Sequence, residues 1–146
     1  MSKRYHTGQA LVEFSLTIIL FLVLIMGVLD FGSAVYRFNG VSQAAREIAR
    51  VTSVHPCAGA TPCDPGNSMS SETQAVIDTQ KALIPALSDP EFECVDESGA
   101  PVAPNPCDFS KHTVKVTITA EYQPITPILG LTGTWTLEGS SSAQIQ

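Results

Sequence analysis

The residues of this chain with the most distinctive chemistry are its four cysteines, Cys57, Cys63, Cys94 and Cys107, all in the second part of the sequence. Their spacings, C-x5-C and C-x12-C, match no recognised zinc-binding pair. They follow an apolar N-terminal segment, and a position beyond a membrane favours an oxidising compartment in which disulfides persist. Four cysteines allow three pairings. We expect Cys57 to pair with Cys63 and Cys94 with Cys107, because each bond closes a loop rich in proline and glycine.

The other titratable residues form no recognisable catalytic or metal-binding constellation. The three histidines, His6, His55 and His112, are isolated from one another in the sequence. The acidic residues between positions 91 and 97 lack the regular spacing of a known calcium loop, so a solvated acidic surface explains them better. Phosphate-binding loops, zinc-protease motifs and nucleophile elbows are absent from the sequence. The sequence therefore predicts no enzyme, no metal site and no cofactor.

Charge and proline are unevenly distributed along the 146 residues. Residues 1–50 carry a net charge of +2 and residues 51–146 a net charge of −8, which gives −6 for the chain. All ten prolines lie at or beyond Pro56. An acidic chain with so few Lys and Arg residues is a poor nucleic-acid binder, because counterion release requires clustered basic side chains. The chain thus has two physically different parts.

One carboxylate, Glu13, lies near the start of a strongly apolar stretch. No charge occurs from residue 16 to residue 29, and counting back to Ala10 gives 20 residues. As a helix these residues span about 30 Å, which is enough to cross a bilayer. Lys3 and Arg4 precede the stretch, so the positive-inside rule places the N-terminus in the cytoplasm. A carboxylate in such a segment is normally paired and functional; the alternative is that Glu13 is solvated at the headgroup level.

Three interpretations of this stretch compete. It is a secretory signal cleaved near residues 32–34, a plain single-pass anchor, or a prepilin-like leader that ends in Gly8. The helical pattern continues past residue 34, which argues against the secretory signal. In the third interpretation Glu13 is the fifth residue after the cleavage point. Cleavage after Gly8 would give Gln9 a new α-amino group, which is the natural partner for Glu13 of a neighbouring subunit.

The pattern beyond the apolar stretch predicts that the helix continues, from about Gln9 to about Val54. Apolar residues recur at helical spacing, at Ala34, Phe38, Val41, Ala45 and Ile48. This stripe packs on the protein's own globular part, on other subunits, or on both, at different positions along the helix. Pro56 then stops the helix.

The remaining residues predict a small α+β domain. A second helix begins at Ser70 or Ser71 as N-cap and is limited by Pro85; its expected core stripe is Val76, Leu83 and Leu87. Three strand-like runs follow, at Glu91–Val95, Thr113–Tyr122 and Thr134–Gln146, and the second alternates apolar and polar residues. The expected fold is therefore α+β: a long N-terminal transmembrane helix, a second helix and a small three-stranded antiparallel sheet.

At its N-terminal end the sequence resembles the TadE/TadF-type pseudopilins of the tight adherence (Flp, type IVc) pilus system. The resemblance rests on Gly8 followed by Gln9–Phe14, on Asp30–Gly32 and on Asn39–Arg50, where Ile48 replaces the glycine that is usual in the family. The C-terminal strands and the prolines between them are also similar. Residues 55–112 show no recognisable resemblance.

The resemblance implies a minor pilin or pseudopilin, with a long pilin-like spine helix. Residues 1–8 would be a prepilin leader removed after Gly8 by a prepilin peptidase, residues 9–54 the transmembrane and spine helix, and residues 55–146 an exported, disulfide-stapled domain. The mature subunit, beginning at Gln9, would stay in the cytoplasmic membrane among membrane lipid. It would then assemble with the major Flp pilin and other pseudopilins on the inner-membrane platform, at pilus initiation or at the tip. Glu13 and Phe14 would act in assembly.

Two further classes of protein stay open. A single-pass membrane-anchored binding or adhesion module would use the acidic exported domain without entering a pilus. A membrane-tethered enzyme is the weakest alternative, because the sequence contains no catalytic constellation.

Overall fold

The structure, a computed structural model, describes residues 5–57, 66, 68–102, 107, 112–124 and 133–146. It contains two helices and a three-stranded sheet, which confirms the expected α+β fold. In chain order the elements are α1 (Tyr5–Val54), α2 (Ser71–Leu83), β1 (Glu91–Val95), β2 (Thr113–Tyr122) and β3 (Trp135–Gln144).

Helix α1 is a single uninterrupted helix of 50 residues, about 75 Å long at 1.5 Å per residue. It ends at Val54, as the position of Pro56 predicts. Its first residue, Tyr5, precedes the expected start at Gln9 by four residues. The intervening residues include no proline, and the single glycine among them, Gly8, costs a helix only about 1 kcal/mol relative to alanine.

Helix α2 begins at a well-formed N-cap. Of the two serines expected to cap it, Ser70 is the one that does so, since its hydroxyl oxygen accepts a hydrogen bond from the backbone N–H of Thr73 at 3.2 Å. Such a cap typically contributes about 1 kcal/mol. The helix ends at Leu83, two residues before Pro85, because a residue preceding proline disfavours the helical conformation.

The buried face of α2 differs from the predicted one. Thr73 and Ile77 are its buried residues, Val76 is half-buried, and Leu83 is exposed. The expectation that Leu83 belongs to the core is therefore wrong. The helix ends at that residue, and the next residue, Ile84, takes an extended conformation and packs against the core instead.

The sheet has the order β1-β2-β3, and both neighbouring pairs are antiparallel. Strand β2 alternates as predicted, with its apolar side chains buried, at Val114, Val116, Ile118, Ala120 and Tyr122. Because successive residues of a strand point to opposite faces, these five side chains line one face of the sheet. That face packs on α1.

A disulfide joins Cys94 at the end of β1 to Cys107, with a Cα–Cα distance of 5.6 Å. This confirms one of the two expected pairings. Both cysteines are buried and belong to the hydrophobic core. Cys57 is also disulfide-bonded; its expected partner, Cys63, lies outside the described residues, so that pairing stays a prediction.

The loop that follows Cys94 is held by one carboxylate. Asp96 Oδ1 accepts hydrogen bonds from the Ser98 hydroxyl at 2.6 Å and from the backbone N–H groups of Ser98 and Ala100 at 2.8 and 3.0 Å. These bonds, that from the Ser98 hydroxyl foremost, hold the pKa of Asp96 below its ordinary value. The role of this acidic residue is therefore to stabilise a turn within the loop.

The core lies between the sheet and the second half of α1. The helix contributes mainly small side chains, which allow the sheet to approach closely; its fully buried hydrophobic residues are Val41, Ala44, Ala45, Ile48 and Ala49. Of the predicted stripe, Val41, Ala45 and Ile48 are thus in the core, whereas Phe38 is exposed and Ala34 half-buried. We call the unit formed by residues 41–54 of α1, α2 and the sheet the globular domain.

Strand β3 runs along α1 and makes the closest contact between sheet and helix. A Cβ atom added to Gly139 would lie 2.9 Å from the carbonyl carbon of Val41 and 3.0 Å from the backbone nitrogen of Ser42. Farther along, the backbone N–H of Gln146 donates to the carbonyl oxygen of Ser53 at 3.1 Å. The strand therefore follows the helix from its middle toward its C-terminal end.

Candidate functional site

The first half of α1 is apolar, and none of the described residues packs around it. Among the described residues it is the one helix long and apolar enough to cross a membrane, and none of its most apolar part is buried. Large exposed side chains follow one another from Leu11 to Leu29. An exposed apolar surface of this length is stable only in an apolar solvent. A single-pass membrane protein accounts for it.

The residues expected to act in processing and assembly lie in the first turns of this helix. Gly8, Gln9, Glu13 and Phe14 are all exposed. Gln9 and Glu13 are four residues apart and therefore lie on the same face, about 6 Å apart along the helix axis. Within the described part of the chain, the carboxylate of Glu13 makes no hydrogen bond or ion pair. The arrangement leaves this carboxylate open to a group from another molecule.

A polar contact fixes the globular domain to α1 where the apolar stretch ends. The buried Tyr122 hydroxyl donates a hydrogen bond to the carbonyl oxygen of Asp30 at 2.9 Å. The hydroxyl of Ser33 donates to the same carbonyl at 2.9 Å and lies 2.9 Å from the tyrosine oxygen. The guanidinium of Arg37 lies over the tyrosine ring, 5.7 Å from its centre. We call these four residues the clamp.

The pattern of the sequence does not predict the clamp. In the sequence Tyr122 is only the last residue of a predicted strand, and Asp30 belongs to the family-like stretch Asp30–Gly32. One signal was available: Tyr122 occupies an inward position of the alternating strand, and a buried tyrosine hydroxyl usually finds a hydrogen-bond partner.

Replacing Tyr122 by phenylalanine is expected to lower the free energy of unfolding of the globular domain by about 1 kcal/mol, because the hydroxyl and its bond to Asp30 are lost while the ring remains. Urea unfolding of the full chain in detergent micelles, followed by tryptophan fluorescence, measures this change. Tyr36→Phe is the matched control, since Tyr36 is exposed and its change should stay within about 0.5 kcal/mol. Equal unfolding midpoints for Tyr122→Phe and the unmodified protein would show that the clamp adds no stability.

An open groove of 720 Å³ lies between α1 and the C-terminal end of α2. Tyr36, Arg37 and Gln43 line it on one side, and Gln80 and Ile84 on the other. Among the described residues that line it, Arg37 is the charged one. The described lining thus offers hydrogen-bonding groups and one cation.

The acidic side chains beyond the apolar stretch take part in local contacts. Arg50 donates two hydrogen bonds to Glu47, at 2.7 and 3.2 Å, which lower the pKa of that carboxyl below its ordinary value. Lys115 pairs with Glu93 at 3.3 Å. Among the described residues, no group of three or more His, Cys, Asp or Glu side chains is placed to hold a metal ion. The acidic residues form a solvated surface.

The comparison with protein families gives one result. The family described as TadE-like protein matches residues 8–50, a stretch that lies entirely within α1 and contains Gly8, Gln9, Glu13 and Phe14. This match confirms the resemblance noted in the sequence. No curated protein and no solved structure matches the chain. The match and the exposed apolar helix together fit a pilin-like membrane protein of the Tad system.

Proposed function

We propose that this chain is a minor pilin, or pseudopilin, of a tight adherence pilus. It is inserted in the cytoplasmic membrane with its N-terminus inside and its globular domain exported. A prepilin peptidase removes residues 1–8, so the chain is a substrate of that enzyme and is not itself one. The observation that carries the proposal is the TadE-like match to residues 8–50, which falls on an uninterrupted, exposed, apolar helix.

Cleavage after Gly8 would give the chain an assembly site made of two charges. Gln9 would carry a new α-amino cation, and the carboxylate of Glu13 lies one helical turn away. An unpaired carboxylate in a lipid-facing helix costs a few kcal/mol. A neighbouring subunit removes that cost when its N-terminal cation reaches Glu13, so each subunit is drawn into contact with the next. The partners are the major Flp pilin and other pseudopilins, assembled on the inner-membrane platform.

Mass analysis and N-terminal sequencing of the native protein test the cleavage. We expect the chain to begin at Gln9. A start at Met1 or Ser2 would instead support a membrane-anchored binding module, and a start at Val35 an ordinary secreted protein.

Gly8→Leu sharpens this test, because a Cβ atom at Gly8 meets no other atom within 4 Å and the fold should not change. We expect the variant to keep its leader, since the larger side chain lies directly at the scissile bond. Gly27→Leu is the matched control: Gly27 has the same open surroundings and is far from the bond, so this variant should be processed normally. Equal processing of both variants would refute cleavage after Gly8.

Glu13→Ala is expected to reduce the number of pili per cell by about tenfold or more, since a lost interaction of a few kcal/mol changes an equilibrium by at least that factor. Electron microscopy of a strain that carries the variant gene counts the pili. Glu121→Ala replaces an exposed carboxylate on β2 and should leave the count unchanged. Normal piliation of the Glu13→Ala strain, with the variant present in the membrane, would contradict the assembly role of Glu13.

A further inference from the structure

The end of the globular domain that faces the apolar stretch can be located along α1. The clamp holds Tyr122 at Asp30 and Ser33, and Trp135 is the cross-strand partner of Tyr122. From Gly139, which contacts α1 at Val41, the strand extends back about 13 Å to Trp135. This distance corresponds to about nine residues of helix. Trp135 therefore lies near the level of residue 32, close to where the apolar stretch ends.

Large aromatic side chains are exposed close to this level, on two different elements. Phe31 and Tyr36 of α1 are 73% and 80% exposed, and Trp135 of β3 is 46% exposed. A helical side chain leans toward the N-terminus of its helix, so the ring of Tyr36 lies lower than its own Cα. Tryptophan and tyrosine are the residues enriched at membrane–water interfaces. Exposed aromatic side chains at the end of a membrane-spanning helix are typical of the level of the lipid headgroups.

One cation accompanies the aromatic side chains. Three of the described basic residues beyond the apolar stretch are paired with carboxylates, in the pairs Arg50–Glu47, Lys81–Asp89 and Lys115–Glu93. Arg46 and Arg37 form no ion pair with any described carboxylate. Of the two, Arg37 is nearer the exposed aromatic side chains, and it rests on the ring of Tyr122. It lies about 10 Å beyond residue 30 along the helix. An arginine at that height can donate hydrogen bonds to lipid phosphate.

We propose that the globular domain and the adjoining turns of α1 rest on the membrane surface through a collar formed by Phe31, Tyr36 and Arg37 of the helix and Trp135 of the sheet, and that the lipid headgroups of that leaflet are the binding partner of the collar. The aromatic rings enter the interface, and Arg37 binds phosphate. The rest of the domain is acidic and is repelled by anionic lipid, so the collar alone makes this contact. The proposal rests on the membrane anchoring in the proposed function; it does not depend on processing or on pilus assembly.

Lipid is the occupant that the position of the collar favours. The collar is continuous with the exposed apolar surface of α1, and that surface already requires lipid around it. Its side chains come from the helix and from the sheet and surround the point where the chain leaves the membrane. A second copy of the chain is a poorer occupant, because it would have to bind the collar at the depth that the lipid headgroups already fill.

The single tryptophan of the chain, Trp135, makes the proposal directly measurable. The full chain is reconstituted into vesicles of phosphatidylcholine and phosphatidylglycerol, and lipids brominated at the shallow or the deep end of the acyl chain serve as fluorescence quenchers. We expect shallow bromines to quench Trp135 at least about twofold more strongly than deep ones, as for an interfacial side chain. A control moves the tryptophan to the far end of α1, as Trp135→Phe with Val54→Trp, and should show no quenching by lipid.

A second comparison tests the cation. Arg37→Gln is expected roughly to halve the quenching by shallow bromines in the anionic vesicles, because one phosphate contact is lost. Arg46→Gln is the matched control, since Arg46 is exposed and lies about 14 Å farther along the helix. It should leave the quenching unchanged.

Co-flotation of protein and vesicles separates the possible failures. Protein that does not float with the vesicles would overturn the membrane span, and with it both proposals. Protein that floats, while Trp135 is quenched by aqueous acrylamide and by neither brominated lipid, would overturn the collar alone. Protein that floats with Trp135 shielded from acrylamide and from both lipids would also overturn it, since a protein contact would then cover the tryptophan.

Discussion

Replacing Gly139 by valine is expected to lower the free energy of unfolding of the globular domain by about 3 kcal/mol or more. The strand β3 meets α1 backbone to backbone at this residue, and a Cβ atom would lie 2.9 Å from a carbonyl carbon of the helix. Overpacking a well-filled core typically costs about 1–3 kcal/mol. Here the obstacle is helix backbone, which cannot rotate away as a side chain does, so the cost lies at or above the upper end of that range.

Urea unfolding in detergent micelles measures this effect, and the fluorescence of Trp135, four residues away on the same strand, reports on it. Gly133→Val is the matched control, because a Cβ atom at Gly133 meets nothing within 4 Å and the substitution should change stability by less than about 0.5 kcal/mol. If both variants unfold at the same urea concentration, the close approach of β3 to α1 is wrong.

Removing the disulfide between Cys94 and Cys107, as Cys94→Ala with Cys107→Ala, is expected to cost about 3 kcal/mol of stability. The bond joins two residues with a sequence separation of 13, and the closed loop lowers the conformational entropy of the unfolded chain. Both cysteines are also buried in the core beside β2, so the small alanine side chains leave unfilled space. A domain with few residues off its long helix has little reserve against this loss.

The measurement compares the urea midpoints of the oxidised wild-type protein and of the double variant. Cys107→Ala alone should lose a similar amount, since either substitution breaks the bond. A double variant that unfolds at the wild-type midpoint would show that the bond adds nothing to stability.

Elements that depend on local signals could be predicted from the sequence. Composition and alternation predict the bounds of strands β1 and β2, and Pro56 predicts the end of α1. The N-cap of α2 was narrowed to two serines, because the capping residue and the helix it opens are neighbours in the sequence. The exposure of Leu83 was not predictable in this way, since it depends on how Ile84 packs on the core.

The contacts that join the sheet to the helix had no local signal. Tyr122 is 92 residues from Asp30 and 89 from Ser33, and Gly139 is still farther along the chain from Val41, whose backbone it contacts. Such pairs follow from the register of the strands and the crossing of helix and sheet. The candidate assembly residues are the opposite case. Gly8 and Glu13 lie in one short stretch, so their spacing can be read directly from the sequence. The group that Glu13 would bind belongs to another chain.

The contacts of the sheet along α1 make the helix and the globular domain move together as a rigid body. The sheet is fixed to the helix near Asp30, at Val41 and again at Ser53. From Asp30 to Val54 the helix extends about 36 Å. A tilt of about 20°, which is average for a membrane helix, would carry the far end of the domain about 12 Å sideways. A change in bilayer thickness that alters this tilt is therefore converted into a displacement of the surface that the domain presents.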